Sequence, residues 1–194
     1  SLEQGKPREF FDKSMILARE KKIQNTNEKF SAESNPPQSE VDNLLNKYRN
    51  GLFNEARNLA LTISQNYPND QFSRKVLGRV LRQTGKINEA LNVTKKAIAL
   101  GSQDFDLHND LGVILKLLDR FDEAESSYKK AIAIKPDCFE AHYNLGTTLR
   151  AMGKLEDAES SYRRAILINS NVAEAHSNLG ITLQELGRLD EAEA

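Results

Sequence analysis

Small and apolar residues in the second half of the chain recur three and four positions apart. Ala141, Leu145, Thr148, Leu149 and Met152 hold that spacing, and after Gly153-Lys154 the set Leu155, Ala158, Tyr162, Ala165 and Ile166 resumes it. The pattern predicts two helices joined by a tight turn, with Gly153 in the left-handed conformation that glycine adopts without steric cost. This hairpin is one copy of a repeat. Gly78, Gly112, Gly146 and Gly180 stand 34 residues apart, as do Leu77, Leu111, Leu145 and Leu179, and as do His108, His142 and His176. Ala56, Ala90, Ala124, Ala158 and Ala192 keep the same step, each preceded by Glu55, Glu89, Glu123, Asp157 or Glu191. The turn glycines Gly51, Gly85, Gly153 and Gly187 keep it too, interrupted only by Asp119. Independent position classes that agree on one period define the units 37–70, 71–104, 105–138 and 139–172, with a partial unit 173–194. Pro68 and Pro136 fall after second helices, where a missing amide hydrogen suits a stop followed by a new start. Gly146 and Ala158 are predicted to let the two helices of a hairpin approach closely, and Ala165 to admit the next unit's first helix.

The order Trp, Leu-Gly, Tyr, Ala, aromatic, Ala, Pro that marks tetratricopeptide repeats is matched in the third unit by His108, Leu111-Gly112, Leu115, Ala124, Tyr128, Ala131 and Pro136. The fourth unit gives His142, Leu145-Gly146, Leu149, Ala158, Tyr162 and Ala165, with Ser170 in place of the proline. Residues 71–194 thus resemble the tetratricopeptide repeat family well. Residues 37–70 resemble it less, with Leu44 at the glycine position and Asn43 at the leucine position, as suits a terminal unit with one face unpartnered. The resemblance implies an all-α fold, a right-handed superhelical solenoid of helix-turn-helix repeats. Units three to five look most like the arrays that precede the catalytic region in O-linked N-acetylglucosamine transferases and related bacterial proteins.

Charge and chemistry narrow the function. The 194 residues carry 27 Lys and Arg against 28 Asp and Glu, a formal charge of -1. No excess of cations is available to face duplex phosphates, so nucleic acid is not an expected partner. No apolar run approaches the roughly 20 residues that span a bilayer, so no membrane partner is expected either. The one cysteine, Cys138, permits neither an internal disulfide nor a cysteine-based zinc site, and fits a reducing, cytoplasmic location. The three histidines share the fourth position of their units, but stacked helices lie about 10 Å apart, whereas zinc ligands must reach one ion at about 2.0–2.1 Å. They read as half-buried rings at the family's aromatic position. The acids before each alanine sit in the first turn of a second helix, where the helix dipole favours negative charge. With no nucleophile elbow, phosphate loop or dinucleotide fingerprint, neither catalysis nor a cofactor is expected.

What remains is a surface. Stacking of the family's kind would line a concave groove with the first helices, their second, fifth, sixth, ninth, twelfth and thirteenth positions facing inward. The twelfth supplies Arg82, Lys116, Arg150 and then Gln184; the second supplies Phe72, then Asp106, Glu140 and Glu174. Between them lie Lys75, Asn109, Tyr143 and Ser177 at the fifth position, Asp110, Asn144 and Asn178 at the sixth, and Arg79 at the ninth. Donors and acceptors repeated along an axis suit an extended peptide, whose backbone advances about 3.3 Å per residue. Asn144 and Asn178 lead the candidates, because an amide side chain both donates to and accepts from a main chain. A plain solvated helical face is the competing account of each residue taken singly. The carboxylate clamp of co-chaperones is not matched, since Lys75 and Arg79 are followed by Asp110 and then by Glu140 and Asn144, without the second basic pair.

The ends add two expectations. Residues 8–24 read as a short amphipathic helix with Phe10 and Phe11, followed by a polar linker containing Pro36-Pro37. That helix caps the first unit or lies in a groove, its own or a second molecule's; binding to a membrane surface is a third reading, disfavoured because the run also contains Glu9, Asp12 and Glu20. At the other end the fifth unit stops inside its second helix, which would uncover Ile181, Leu183 and Leu186, so the natural protein is expected to continue or this end to pack on another chain. Self-association through either end follows from these expectations. Two functions fit: a non-catalytic scaffold binding an extended peptide or protein segment in the groove, or the substrate-presenting arm of a larger glycosyltransferase or sulfotransferase.

Overall fold

The computed structural model describes residues 35–101 and 103–192. The amphipathic segment expected at residues 8–24 lies outside them. Among the described residues every regular element is a helix. They run α1 (Gln38–Arg49), α2 (Phe53–Asn66), α3 (Gln71–Gln83), α4 (Ile87–Leu100), α5 (Phe105–Lys116), α6 (Phe121–Ile134), α7 (Phe139–Ala151), α8 (Leu155–Ile168), α9 (Ala173–Glu185) and α10 (Leu189–Ala192). Consecutive helices pair as hairpins, and each hairpin packs on the next to make an all-α solenoid.

Local chemistry sets the helix ends. Asp70 and Asp104 cap α3 and α5 by accepting from the amides of Ser73 at 2.8 Å and Leu107 at 3.3 Å. Each hairpin then turns on one left-handed residue: Gly51 at φ 72°, Gly85 at 75°, Gly153 at 74° and Gly187 at 76°. Asp119 holds the same post at φ 56°. Its turn keeps the wide hydrogen bond of its counterparts, Arg120 N to Leu115 O at 3.0 Å against Lys154 N to Leu149 O at 2.9 Å. The turn geometry therefore prevails over the side chain, at the cost a Cβ carries in that region. Asp119→Gly is expected to stabilise the protein by about 0.5–1 kcal/mol, the relief of left-handed strain less the greater freedom of glycine when unfolded. A urea midpoint that fails to rise would show that the Asp119 side chain compensates for its own backbone.

Small residues let the helices close. Ala56, Ala90, Ala124, Ala158, Ala97, Ala131 and Ala165 are all fully buried. Opposite them lies a second contact of the same kind, between Gly112 and the Tyr128 ring and between Gly146 and the Tyr162 ring. A Cβ added to Gly112 would fall 2.5 Å from the first ring, and one added to Gly146 would fall 2.8 Å from the second. In the last hairpin Ile181 is 40% exposed but Leu183 is only 2% exposed. Leu183 keeps its cover because it occupies the site of the buried Leu81, Leu115 and Leu149, which faces inside the array.

Candidate functional site: a polar inner wall

The first helices of neighbouring hairpins, α1 with α3, α3 with α5, α5 with α7 and α7 with α9, touch one another directly, whereas the second helices make no comparable contact among themselves. Curvature therefore closes on the first-helix side, and that side is the inner wall. The polar residues expected there divide into three groups.

The first group is tied up in the joint between α3 and α5. Lys75 Nζ lies 2.8 Å from Asp104 Oδ2 and 3.4 Å from Asp106 Oδ2, and Arg79 Nε donates to Asp110 Oδ2 at 2.5 Å while its Nη2 lies 3.7 Å from Asp106. Asp110 is 7% exposed. Burial pushes its carboxyl above the ordinary Asp range, and the Arg79 and Arg82 guanidiniums pull the other way.

The second group is a ladder of amides. Asn144 Nδ2 donates to Asn109 Oδ1 at 3.1 Å, and one unit on Asn178 Nδ2 donates to the Tyr143 hydroxyl at 2.9 Å. Sixth position thus meets the fifth position of the preceding unit, twice. Tyr143 is fixed in turn by stacking on Phe139, with centroids 5.9 Å apart and planes at 11°.

The third group is the cation row near the carboxyl ends of α3, α5 and α7. Lys116 Nζ donates to Thr147 Oγ1 at 2.8 Å, and Arg150 has its carboxylate, Glu185, at 3.9 Å. Arg82 has its Nε buried without a hydrogen-bond partner. Burial, then the repulsion of Arg150, draws the Lys116 ammonium below the usual lysine range.

The histidines do more than fill space. His142 Nε2 donates to Pro136 O and His176 Nε2 to Ser170 O, both at 2.9 Å, pinning the start of a first helix to the carbonyl six residues earlier. His108 and His142 are buried rather than half-buried, and His176, in the last hairpin, is exposed. The recurring distance of six residues to a turn carbonyl was the available signal for this role. Among the described residues no group of three or more His, Cys, Asp and Glu could hold a metal ion. Burial raises the Cys138 thiol above its ordinary range, so it stays protonated. No described helix is long and apolar enough to cross a membrane.

A tetratricopeptide repeat family model matches residues 105–168 and 137–194, and a second model of the same repeat matches residues 78–119. The chain belongs to the tetratricopeptide repeat family. As such an array it is a protein-interaction scaffold. Solved structures share its fold. A crystal structure of MamA aligns with a TM-score of 0.71 at 25% identity, covering 76% of this chain and 86% of that one. The MamA of Desulfovibrio magneticus RS-1, from residue 41 to its end, aligns at 0.73 and 19% identity, covering 80% and 88%. TTC0263, a thermophilic tetratricopeptide protein of Thermus thermophilus, aligns at 0.67 and 23%, covering 80% and 85%. Among curated proteins none matches the chain by sequence.

Proposed function

We propose that this protein binds an extended peptide or protein segment along its inner wall, without catalysing a reaction, and that the array of units over 37–194 is the part that does so. The observation that carries the reading is the amide ladder. Asn144 and Asn178 each commit one N–H to the preceding unit, which fixes the side chain, and each has a second N–H and a carbonyl oxygen with which to meet a main chain. Side chains held in place before binding lose less entropy on binding. Lys75, Arg79 and Asp110 serve the same end indirectly by holding α3 against α5. A free, buried, protonated thiol is in keeping with a cytoplasmic location.

The test is a peptide array of immobilised twelve-residue sequences, probed with wild type and with Asn144→Ala/Asn178→Ala. Loss of both amides is expected to weaken the bound sequences about tenfold to a hundredfold, roughly 1 kcal/mol or somewhat more for each hydrogen-bonding side chain. Equal binding by both proteins would remove the ladder from the site.

A further inference from the structure

We propose that the segment received by the inner wall is acidic, with its carboxylates lying along the row Arg82, Lys116 and Arg150. The inference rests on the groove reading and adds the chemistry of the ligand. Cations on this wall are treated in two different ways. Lys75 and Arg79 each meet Asp104, Asp106 or Asp110 at 2.8 Å or closer, so their charge is spent within the wall. The row at the other end of the same helices is neutralised less closely, since Arg82 shares the buried Asp110 with Arg79 and Arg150 only faces Glu185 across a longer gap. Lys116 is half-buried against a hydroxyl, Arg150 stands 3.9 Å from Glu185, and the Arg82 Nε is buried without a partner. Burial and then the repulsion of Arg150 both disfavour the charged form of Lys116, an effect that an incoming carboxylate would offset.

The helix dipole favours a cation in a last turn, but it does not explain the row. It acts equally on α9, whose last turn has no basic residue, and an exposed lysine would satisfy it without burial. The wall's remaining acids do not answer the row either. Glu140 and Glu174 sit in the first turns of α7 and α9, and the second and twelfth positions of a helix lie about 15 Å apart along its axis. Spacing then selects the ligand. Successive first helices in direct contact are about 10 Å apart. A polyproline-type strand, with a rise of about 3.1 Å and three residues per turn, returns a side chain to the same side every 9–10 Å or so. An acid at every third residue would meet one cation after another.

Three labelled twelve-residue peptides, identical except for Glu, Gln or Lys at every third position, would be titrated by fluorescence anisotropy. The proteins are wild type, Lys116→Gln/Arg150→Gln and Asn144→Ala/Asn178→Ala, each with its helix content checked by circular dichroism. The Glu peptide is expected to bind wild type at least about tenfold more tightly than the Gln peptide. That advantage should vanish in the Gln variant and shrink as salt is raised, while the Asn variant weakens the Glu and Gln peptides alike. Equal binding of the Glu and Gln peptides, with both still dependent on the asparagines, would overturn the acidic ligand and leave the groove standing. A Glu preference that survives in the Gln variant would also overturn it. Peptides that ignore the asparagines, or no binding by any peptide, would overturn the groove reading with it. A twelve-nucleotide oligothymidylate that binds the row more tightly than the Glu peptide would assign it to phosphates instead.

Discussion

Arg79→Met is expected to destabilise the protein by about 3 kcal/mol at neutral pH, near the lower end of the range for breaking a buried ion pair. Methionine keeps the aliphatic stem, so packing changes little. What is lost is the Nε hydrogen bond at 2.5 Å to Asp110, a carboxylate only 7% exposed, together with the guanidinium contact to Asp106. Arg82 remains nearby and Arg79 itself is 28% exposed, which keeps the loss from being larger. The loss should also depend on pH, with a definite sign. Burial already raises the Asp110 carboxyl, and removing Arg79 takes away the main opposing influence, so the folded-state value climbs further above the unfolded value of about 3.9. A carboxyl raised on folding contributes stability in its protonated form, present below the unfolded value and lost as pH rises through the folded one. The deficit of Arg79→Met relative to wild type should therefore be widest at pH 7 and narrow as pH falls toward 4. Urea midpoints at several pH values measure it. A constant deficit would mean that Asp110 is not the group left stranded. In Arg79→Met/Asp110→Leu both charges are gone, and stability is expected to return close to wild type.

Periodicity is a strong signal for what repeats within a unit and a weak one for what happens between units. The hairpins and their turns were legible because each depends on residues a few positions apart, and even the departure at Asp119 could be located as a break in the glycine series. The polar residues of the inner wall were legible as a face for the same reason. Their partners were not. Whether Lys75 reaches Asp104, or Asn144 reaches Asn109, depends on how one hairpin rotates against the next, a quantity that no local spacing encodes. Hence Lys75, Arg79 and Asp110 are found in ion pairs that join α3 to α5, and Asn144, Asn178 and Lys116 in hydrogen bonds to Asn109, Tyr143 and Thr147 of neighbouring units, none of which the spacing alone could name.

The close approach of the two helices in a hairpin can be tested through a substitution the chain itself has made. At the eighth and twenty-fourth positions the third unit has Gly112 and Tyr128, the ring lying where a Cβ would be; the first unit has Leu44 and Ala60, all four residues being buried. Large and small have changed places, which conserves volume across the contact. Gly112→Leu alone is expected to cost 3 kcal/mol or so, because its Cβ would meet the Tyr128 ring at 2.5 Å and that fully buried ring has nowhere to go. Tyr128→Ala alone should cost about 3–5 kcal/mol through the cavity it leaves. Combined, the two reproduce the arrangement of the first unit, and the leucine should occupy the space vacated by the ring. The double variant is therefore expected to be more stable than the sum of the single losses by about 2–3 kcal/mol, read from urea midpoints in a double-mutant cycle. Tyr128→Phe serves as the control: it removes one hydroxyl and keeps the ring, so it should change stability by no more than about 1 kcal/mol and should not relieve Gly112→Leu. Additive single losses would show that glycine and ring do not compete for one space, and the reason for glycine at every eighth position from Gly78 onward would then have to lie in the backbone rather than in the packing of the hairpin.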